Sequence, residues 1–190
     1  MTEDEGTEAN EPLIELDNVT LRVGDRHLLP GSSWTVRAGE HWAVIGPNGT
    51  GKTTLLRALS GDTPVVSGKI KRNPRKPPQV EYFGPELHRS YLQDETRREL
   101  LWSPISSNYP ASTVDDFLGT DASAAAISYD FFEKLNLEKL RKRVIRTLSN
   151  GEMRKVLLAR AINRFPDILL LDEPFDGLDE SARSWLSDAA

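Results

Sequence analysis

The chain has 190 residues, a net charge of −5 and no cysteine. This length fits one domain with room for a lobed insertion. The lack of cysteine excludes disulfides, thiolate metal sites and a cysteine nucleophile, and the negative charge argues against nucleic acid as the main partner. No apolar run approaches the roughly 18 residues needed to cross a bilayer, so the sequence predicts no transmembrane segment.

The first part of the chain predicts an acidic tail followed by strands. Residues 1–11 are rich in acidic and polar side chains, which is typical of disorder. Alternating apolar and polar residues over 13–23 predict half-buried strands, and a further strand is predicted over 33–37 after a turn at 24–27. The apolar run 42–45 predicts another strand, which leads directly into a glycine-rich loop.

That glycine-rich loop, residues 46–53, is a complete P-loop with the sequence Gly-Pro-Asn-Gly-Thr-Gly-Lys-Thr. Glycine backbones can curl around a β-phosphate, Lys52 supplies a cation for the β- and γ-phosphates, and the Thr53 hydroxyl can ligate Mg²⁺. The helix that starts at Thr53 aims its positive end at the same anion. The predicted nucleoside triphosphate site consists of Gly46, Pro47, Asn48, Gly49, Thr50, Gly51, Lys52, Thr53 and Thr54.

Beyond Gly61, which ends this helix, the pattern predicts two short strands and then a mostly helical segment from about Glu86 to Thr147. The strands are predicted over 67–72, at a sheet edge, and over 80–83. The helices are predicted over 91–102, from Ser112 with a cap formed by Ser112 and Asp115, and over 129–140. The cationic stretch 69–76 begins in the first of the two short strands and continues into the loop that follows it. It is interpreted as a solvated loop in preference to a nucleic-acid contact.

Two carboxylates, Asp172 and Glu173, follow the apolar run 168–171, which is typical of a strand buried on both faces. Ligands of open α/β sheets bind where such strands end. Asp172 therefore suits a role in holding Mg²⁺, and Glu173 suits polarisation of an attacking water. The alternative is a strand that simply exits into a polar loop, and the order of the two motifs, P-loop first, favours the catalytic interpretation.

A third motif, Leu148-Ser149-Asn150-Gly151-Glu152, precedes a helix predicted over 152–164. Here the chain resembles the ATP-binding cassette (ABC) ATPases, whose signature Leu-Ser-Gly-Gly-Gln stands between the P-loop and the strand that carries the acidic pair. Ser149 and the N–H groups of a helix start form an anion site, which in that family caps the γ-phosphate held by the opposite subunit. Residues 176–179 resemble the family's D-loop. The alternative for the signature is an ordinary helix cap.

The resemblance implies an α/β fold of the P-loop NTPase class. It comprises a RecA-like core sheet, a small antiparallel β-subdomain and a helical insertion lobe at about 86–147, within a single domain over 12–190. ATP and Mg²⁺ are the implied cofactors. The implied roles are catalysis for Lys52 and Glu173, metal binding for Thr53 and Asp172, and nucleotide binding for the P-loop with Thr54 and for Ser149, Asn150 and Gly151.

The resemblance also implies a partner and a location. Each nucleotide would lie between one P-loop and the signature of a second ABC domain, in a homodimer or a tandem cassette. A membrane permease would be a further partner of a transporter ATPase. The implied location is cytoplasmic, at the inner face of the membrane where a permease is bound.

Several positions depart from the family pattern. Asn150 and Glu152 replace a signature glycine and glutamine. Val23 stands where an adenine-stacking aromatic is expected, and Arg22 is the alternative for stacking. Gly84-Pro85-Glu86 occupies the place of the Q-loop, whose glutamine is expected there and not at Gln93.

The end of the chain departs most. Ala190 follows the D-loop closely, and the family's switch histidine is not matched by order, since His27, His41 and His88 lie upstream. We therefore expect a fragment, or a cassette completed by another chain, with turnover conditional on that completion.

The function predicted by the resemblance is ATP hydrolysis that energises an ABC transporter. Two alternatives stay open: a soluble cassette acting in translation, repair or regulation, and an ATP-binding module with little turnover. Within the family, residues 148–155 and 171–179 resemble the ModF/PhrA type, with Phe175-Asp176-Gly177 as the closest part.

Overall fold

The computed structural model describes residues 12–87, 90, 91, 93, 97, 112–119 and 133–189. Its helices and strands include β1 (Pro12–Val23), β2 (Arg26–Arg37), α1 (Lys52–Ser60), β3 (Ser67–Arg72), β4 (Val80–Phe83), α2 (Val114–Leu118), α3 (Asn150–Asn163), β5 (Ile168–Leu171) and α4 (Glu180–Ala189), with single 3-10 turns at Glu138–Leu140 and Ile145–Thr147. The chain divides into two compact units. The first unit is Met1–Tyr82 with Pro166–Asp172, and the second unit is Phe83–Phe165 with Glu173–Ala190.

An antiparallel sheet in the order β2-β1-β3 dominates the first unit. Ile14 and Leu16 of β1 are buried, and Leu16 faces Trp34 of β2 and Ile70 of β3 across the sheet. The strand predicted over 67–72 is confirmed, at the sheet edge. The strand predicted over 33–37 begins earlier, at Arg26, because its N-terminal half also pairs with β1.

The core of the first unit joins the sheet to α1 and β5. Leu55, Ala58 and Leu59 of α1 pack in one cluster with the buried residues of β1 and with Leu170 of β5. The strands predicted over 80–83 and 168–171 are confirmed as β4 and β5, which pair in a second sheet. Gly61 ends α1, as predicted. It has a left-handed conformation, and its N–H donates to the Arg57 and Ala58 carbonyls of the helix. Through the shared cluster, the helix that follows the P-loop is packed against β5.

The strand predicted over 42–45 does not form. Residues 40–46 have no regular secondary structure, and Ile45 is 92% exposed. The Glu40 carboxylate accepts hydrogen bonds from the Arg37 N–H (2.9 Å) and Trp42 Nε1 (3.1 Å), and the Trp42 ring meets Trp34 edge to face at 5.1 Å. These contacts hold the segment against β2, so tertiary context overrides the local β propensity of the run.

The second unit is built around α3. Apolar residues of α3 are buried on most of its faces: Met153, Val156, Leu157, Leu158, Ala159 and Ala161. α2 packs against this helix, and Asn163 Nδ2 donates to the Leu118 carbonyl at 3.3 Å.

The cap predicted from Ser112 and Asp115 is wrong by one residue. Thr113 caps α2, since its hydroxyl accepts from the Asp116 N–H while the Asp116 carboxylate accepts from the Thr113 N–H. Thr113 also forms an isolated antiparallel β-bridge with Val144, and this bridge holds Thr113 at the start of the helix.

The predicted tail 1–11, most of the predicted helix 91–102 and residues 129–132 lie outside the described residues. The helix predicted over 129–140 is not continuous in its described part, since a turn at residues 135–136 is followed by a single 3-10 turn at Glu138–Leu140.

Candidate nucleotide-binding site

The P-loop leads into α1 through Gly51, the N-cap residue of that helix. Gly51 has φ 97°, and a Cβ at this position would lie 2.5 Å from Leu28 Cδ1. Only glycine fits both the left-handed backbone and the close approach of β2. The first helical hydrogen bond runs from the Leu55 N–H to the Gly51 carbonyl at 2.8 Å, so the preceding N–H groups of the helix start lack helical acceptors.

Lys52, the first residue of α1, lies across the P-loop. Its ammonium donates to the Gly46 carbonyl at 2.8 Å and to the Pro47 carbonyl at 3.0 Å. Thr50 closes the same turn, with its hydroxyl donating to the Pro47 carbonyl at 2.8 Å. An ammonium carries three donors, so these contacts orient the charge within the loop and leave it a further donor.

The remaining predicted P-loop residues form one continuous segment with these. Pro47, Asn48, Gly49 and Thr50 are exposed, and Gly46, Gly51, Thr53 and Thr54 are half-buried. Thr53 and Thr54 lie in the first turn of α1. The structure thus brings together backbone amides, a cation and hydroxyl groups at one helix start, which is the chemistry of an anion site.

Asp172 follows β5 in the same unit and is 5% exposed. The Tyr82 hydroxyl, from β4, donates to Asp172 Oδ2 at 3.0 Å. Burial and this bond to the carboxylate raise the pKa of Tyr82 to about 12, so the hydroxyl stays a neutral donor. The Arg57 guanidinium of α1 lies 6.0 Å from the centre of the Tyr82 ring. Sequence reasoning did not single out Tyr82; its hydroxyl on a predicted strand was the available signal.

The signature lies in the second unit, at the start of α3. Ser149 is the N-cap residue, and its hydroxyl accepts from the Glu152 N–H at 3.3 Å, while Glu152 Oε2 accepts from the Ser149 N–H at 2.7 Å. Arg143 Nη1 donates to Glu152 Oε1 at 2.7 Å. The Ser149 N–H is the main cause of a lowered Glu152 pKa, and Arg143 adds to it. The glutamate that replaces the signature glutamine is therefore compensated within its own chain.

Glu173 and the D-loop lie in the second unit with the signature. Glu173 is exposed and has φ 49°, and Arg154 Nη2 of α3 donates to the Glu173 carbonyl at 2.8 Å. Lys155 donates to Asp179, and this bond is the main cause of a lowered Asp179 pKa. Sequence reasoning missed Arg154 and Lys155, although two cations inside an apolar helical run were a visible signal.

The structure thus groups the predicted residues into two sets. The P-loop, Thr54 and Asp172 belong to the first unit, and the signature residues Ser149, Asn150 and Gly151 belong to the second with Glu173. Ser149 and Asn150 are exposed. Among the described residues, each helix is too short or too polar to cross a bilayer.

The sequence model of the family described as "ABC transporter" matches residues 29–176, which include the P-loop, the signature and Asp172. The chain belongs to the ABC transporter family. The predicted resemblance to ABC ATPases is thereby confirmed.

Curated relatives extend this match along the chain. "Zinc import ATP-binding protein ZnuC 1" of Hahella chejuensis (strain KCTC 2396) is 34% identical over 175 residues, which are 92% of this chain and 61% of that protein. "ABC transporter ATP-binding protein ModF" of Escherichia coli (strain K12) is 32% identical over 185 residues, 90% of this chain and 36% of that protein. This chain therefore spans less than two thirds of the length of either relative.

A solved structure shows the fold. The chain titled "Structure of ATP binding subunit of ABC transporter" superposes with a TM-score of 0.70 at 22% identity, covering 93% of this chain and 72% of that one. The predicted α/β fold of the P-loop NTPase class is confirmed.

Proposed function

We propose that this chain binds ATP with Mg²⁺ and hydrolyses it, acting as the ATP-binding subunit of an ABC transporter. The observation that carries the proposal is the P-loop itself. Lys52 is oriented by two loop carbonyls at 2.8 and 3.0 Å, directly where α1 begins. A helix start and a fixed ammonium favour the same ligand, an anion with closely spaced phosphates.

Two oxygen donors of the first unit suit Mg²⁺. Asp172 offers a buried carboxylate after β5, and Thr53 offers a hydroxyl in the first turn of α1. No group of three or more His, Cys, Asp or Glu gathers among the described residues, and Mg²⁺ is usually held by one or two protein ligands with phosphates and waters. The metal, when bound, neutralises charge on the phosphates. Tyr82 would hold the Asp172 carboxylate in orientation.

Glu173 is the group that we assign to the attacking water. Its carboxylate is exposed, while its backbone carbonyl is held by Arg154. A carboxylate next to the metal ligand in sequence can orient a water and accept its proton. Because phosphoryl transfer depends on positioning and electrostatics, we expect no covalent intermediate.

A second ABC domain completes the proposed site. Ser149 and Asn150 are exposed at the start of α3, where a helix start attracts phosphate. A signature on the surface suits contact with a nucleotide held by another P-loop, in a homodimer or a tandem cassette. The transport role, with a membrane permease and a position at the cytoplasmic face, is supported by relatives named for import, such as the zinc import ATP-binding protein.

The experiment that tests the proposal measures ATP binding and turnover of point variants. We expect Lys52→Ala to weaken ATP binding by about tenfold to a hundredfold, since it removes a charge-assisted contact. Lys71→Ala is the matched control, because Lys71 lies on the surface of the same unit and pairs with Asp17 at 2.8 Å. Glu173→Gln should keep ATP binding and abolish turnover. Unchanged ATP affinity in Lys52→Ala would refute the site.

A further inference from the structure

Arg154 is a buried cation that the proposed roles leave unexplained. It is 8% exposed, in the second turn of α3. Its Nη2 donates to the Glu173 carbonyl at 2.8 Å, its Nη1 lies 3.8 Å from Asp176 Oδ2, and its guanidinium lies 5.4 Å from the centre of the Phe83 ring. Arginine is rarely buried unless it is paired, so these contacts account for its position.

The contact with Glu173 falls on a strained backbone. Glu173 has φ 49°, the left-handed region that side chains other than glycine, asparagine and aspartate rarely adopt. Such a conformation persists only where the surroundings impose it. The Glu173 carbonyl accepts from Arg154 and also from the Asp176 N–H at 3.2 Å, so Arg154 anchors the turn that sets the direction of the Glu173 side chain.

The backbone of the D-loop packs closely against the Arg154 side chain. Gly177 has φ 67°, and a Cβ there would lie 3.1 Å from Arg154 Cδ; a Cβ at Gly151 would lie 3.0 Å from the Gly177 carbonyl oxygen. The fit leaves the buried Arg154 Nε without a hydrogen-bond partner. An unsatisfied buried donor is costly. The Arg154 side chain thus donates to the Glu173 carbonyl in a position where its own Nε makes no hydrogen bond.

We propose that Arg154 is a positioning residue for ATP hydrolysis, which holds the Glu173 backbone in the left-handed conformation that directs its carboxylate to the attacking water. The inference rests on the proposed function. α3 begins at Ser149 of the signature, so Arg154 links the signature and Glu173 within one chain. A shift of this helix start on meeting a partner's nucleotide would then be transmitted to the hydrolytic group.

The test compares two arginine variants on the same helix. Arg154→Gln removes the anchor. Arg160→Gln is the matched control, because Arg160 also lies over an aromatic ring, that of Phe117 at 4.1 Å. We expect Arg154→Gln to lower kcat by about tenfold to a hundredfold, the scale of a small misplacement of a catalytic group, with ATP affinity unchanged. Arg154→Lys should recover part of kcat, since an ammonium can still donate to the carbonyl.

Thermal unfolding of each variant separates positioning from stability. The proposal is overturned if Arg154→Gln lowers kcat no more than Arg160→Gln, or if kcat across the variants simply follows the melting temperature. Glu173→Gln is measured in parallel. If the wild-type chain shows no turnover that depends on Glu173, the proposed function fails, and the anchoring is decided by a measurement without turnover.

That measurement is hydrogen exchange at the Asp176 and Leu178 amides, which donate within the turn to Glu173 and Phe175 at 3.2 and 3.4 Å. We expect Arg154→Gln to speed exchange at these amides and Arg160→Gln to leave it unchanged. Equal exchange in wild type and Arg154→Gln would show that Arg154 does not hold the turn.

Discussion

The two units of the chain treat their buried charges in opposite ways. Among the described residues the buried polar or charged side chains are Asp172 in the first unit and Arg154 and Lys155 in the second. Asp172 is met by the neutral Tyr82 hydroxyl, and its contacts in the described ranges include no ion pair. Arg154 and Lys155 are met by a carbonyl and by carboxylates of the 173–179 segment.

Under the proposed function, this difference separates a carboxylate that would bind Mg²⁺ from cations that hold a loop. A buried carboxylate without a cation is costly, and the Mg²⁺ of the proposed function would offset that cost. A buried cation with a carboxylate partner instead fastens one segment to another. On this proposal the first unit offers the metal-binding carboxylate, while the buried cations of the second unit fasten residues 173–179 to α3.

The largest expected effect in this comparison is at Asp172. Asp172→Asn keeps the shape and removes the charge, so we expect Mg²⁺-dependent ATP turnover to fall by a factor on the order of a hundred or more, as for loss of one preorganised electrostatic contact. Its stability should be unchanged or higher, because an uncompensated buried charge is gone. Steady-state turnover and urea unfolding measure the two. A large loss of stability would show that Asp172 is structurally paired.

Asp179→Asn should have the opposite effect on stability, because we expect it to destabilise the folded chain. It leaves the Lys155 ammonium, whose side chain is 10% exposed, without its carboxylate partner. We expect the free energy of unfolding to fall by about 1–3 kcal/mol. The loss stays in this range because Asp179 is half exposed, so solvent screens the ion pair. Lys155→Met should lower the free energy of unfolding by less, since the half-exposed Asp179 carboxylate that it leaves unpaired can be hydrated. Urea unfolding of both variants checks the order, and the reverse order would contradict it.

The same pair predicts a pH dependence. The folded state lowers the pKa of Asp179, so its stabilising contribution is fully present above the unfolded pKa of about 3.9. That contribution is lost as the pH falls through the lower folded value. The wild-type chain should therefore lose this part of its stability below about pH 4. The Asp179→Asn variant should show no such pH-dependent loss from this position.

Tyr82→Phe is expected to have the smallest effect. It removes the hydroxyl that donates to Asp172 while keeping the ring, and loss of an outer-shell partner costs about tenfold or more in metal affinity. We expect the Mg²⁺ concentration for half-maximal turnover to rise by about that factor. Tyr91→Phe is the control, because the Tyr91 ring packs on Phe117 in the second unit. An unchanged Mg²⁺ requirement would show that Tyr82 does not orient Asp172.

Local pattern predicted the elements whose signals lie within their own residues. The alternation over 13–23, the apolar run 168–171 and the glycine after α1 each correspond to a described element. The strand predicted over 42–45 was wrong because Trp42 packs on Trp34, a contact that the alternation of apolar and polar residues does not encode. The cap of α2 is Thr113 and not Ser112, and Thr113 forms a bridge to Val144, which lies even further away in the sequence.

The sequence by itself determined the P-loop, the acidic pair, the signature and, through their order, the family. These motifs are short, and backbone and side-chain chemistry acts within each of them. Only the tertiary structure decided that Tyr82 donates to Asp172, that Arg143 donates to Glu152, and that Arg154 donates to the Glu173 carbonyl. Such partners lie 9 to 90 residues apart, and burial makes each bond matter, because a polar group removed from water must find its partner wherever the fold places one.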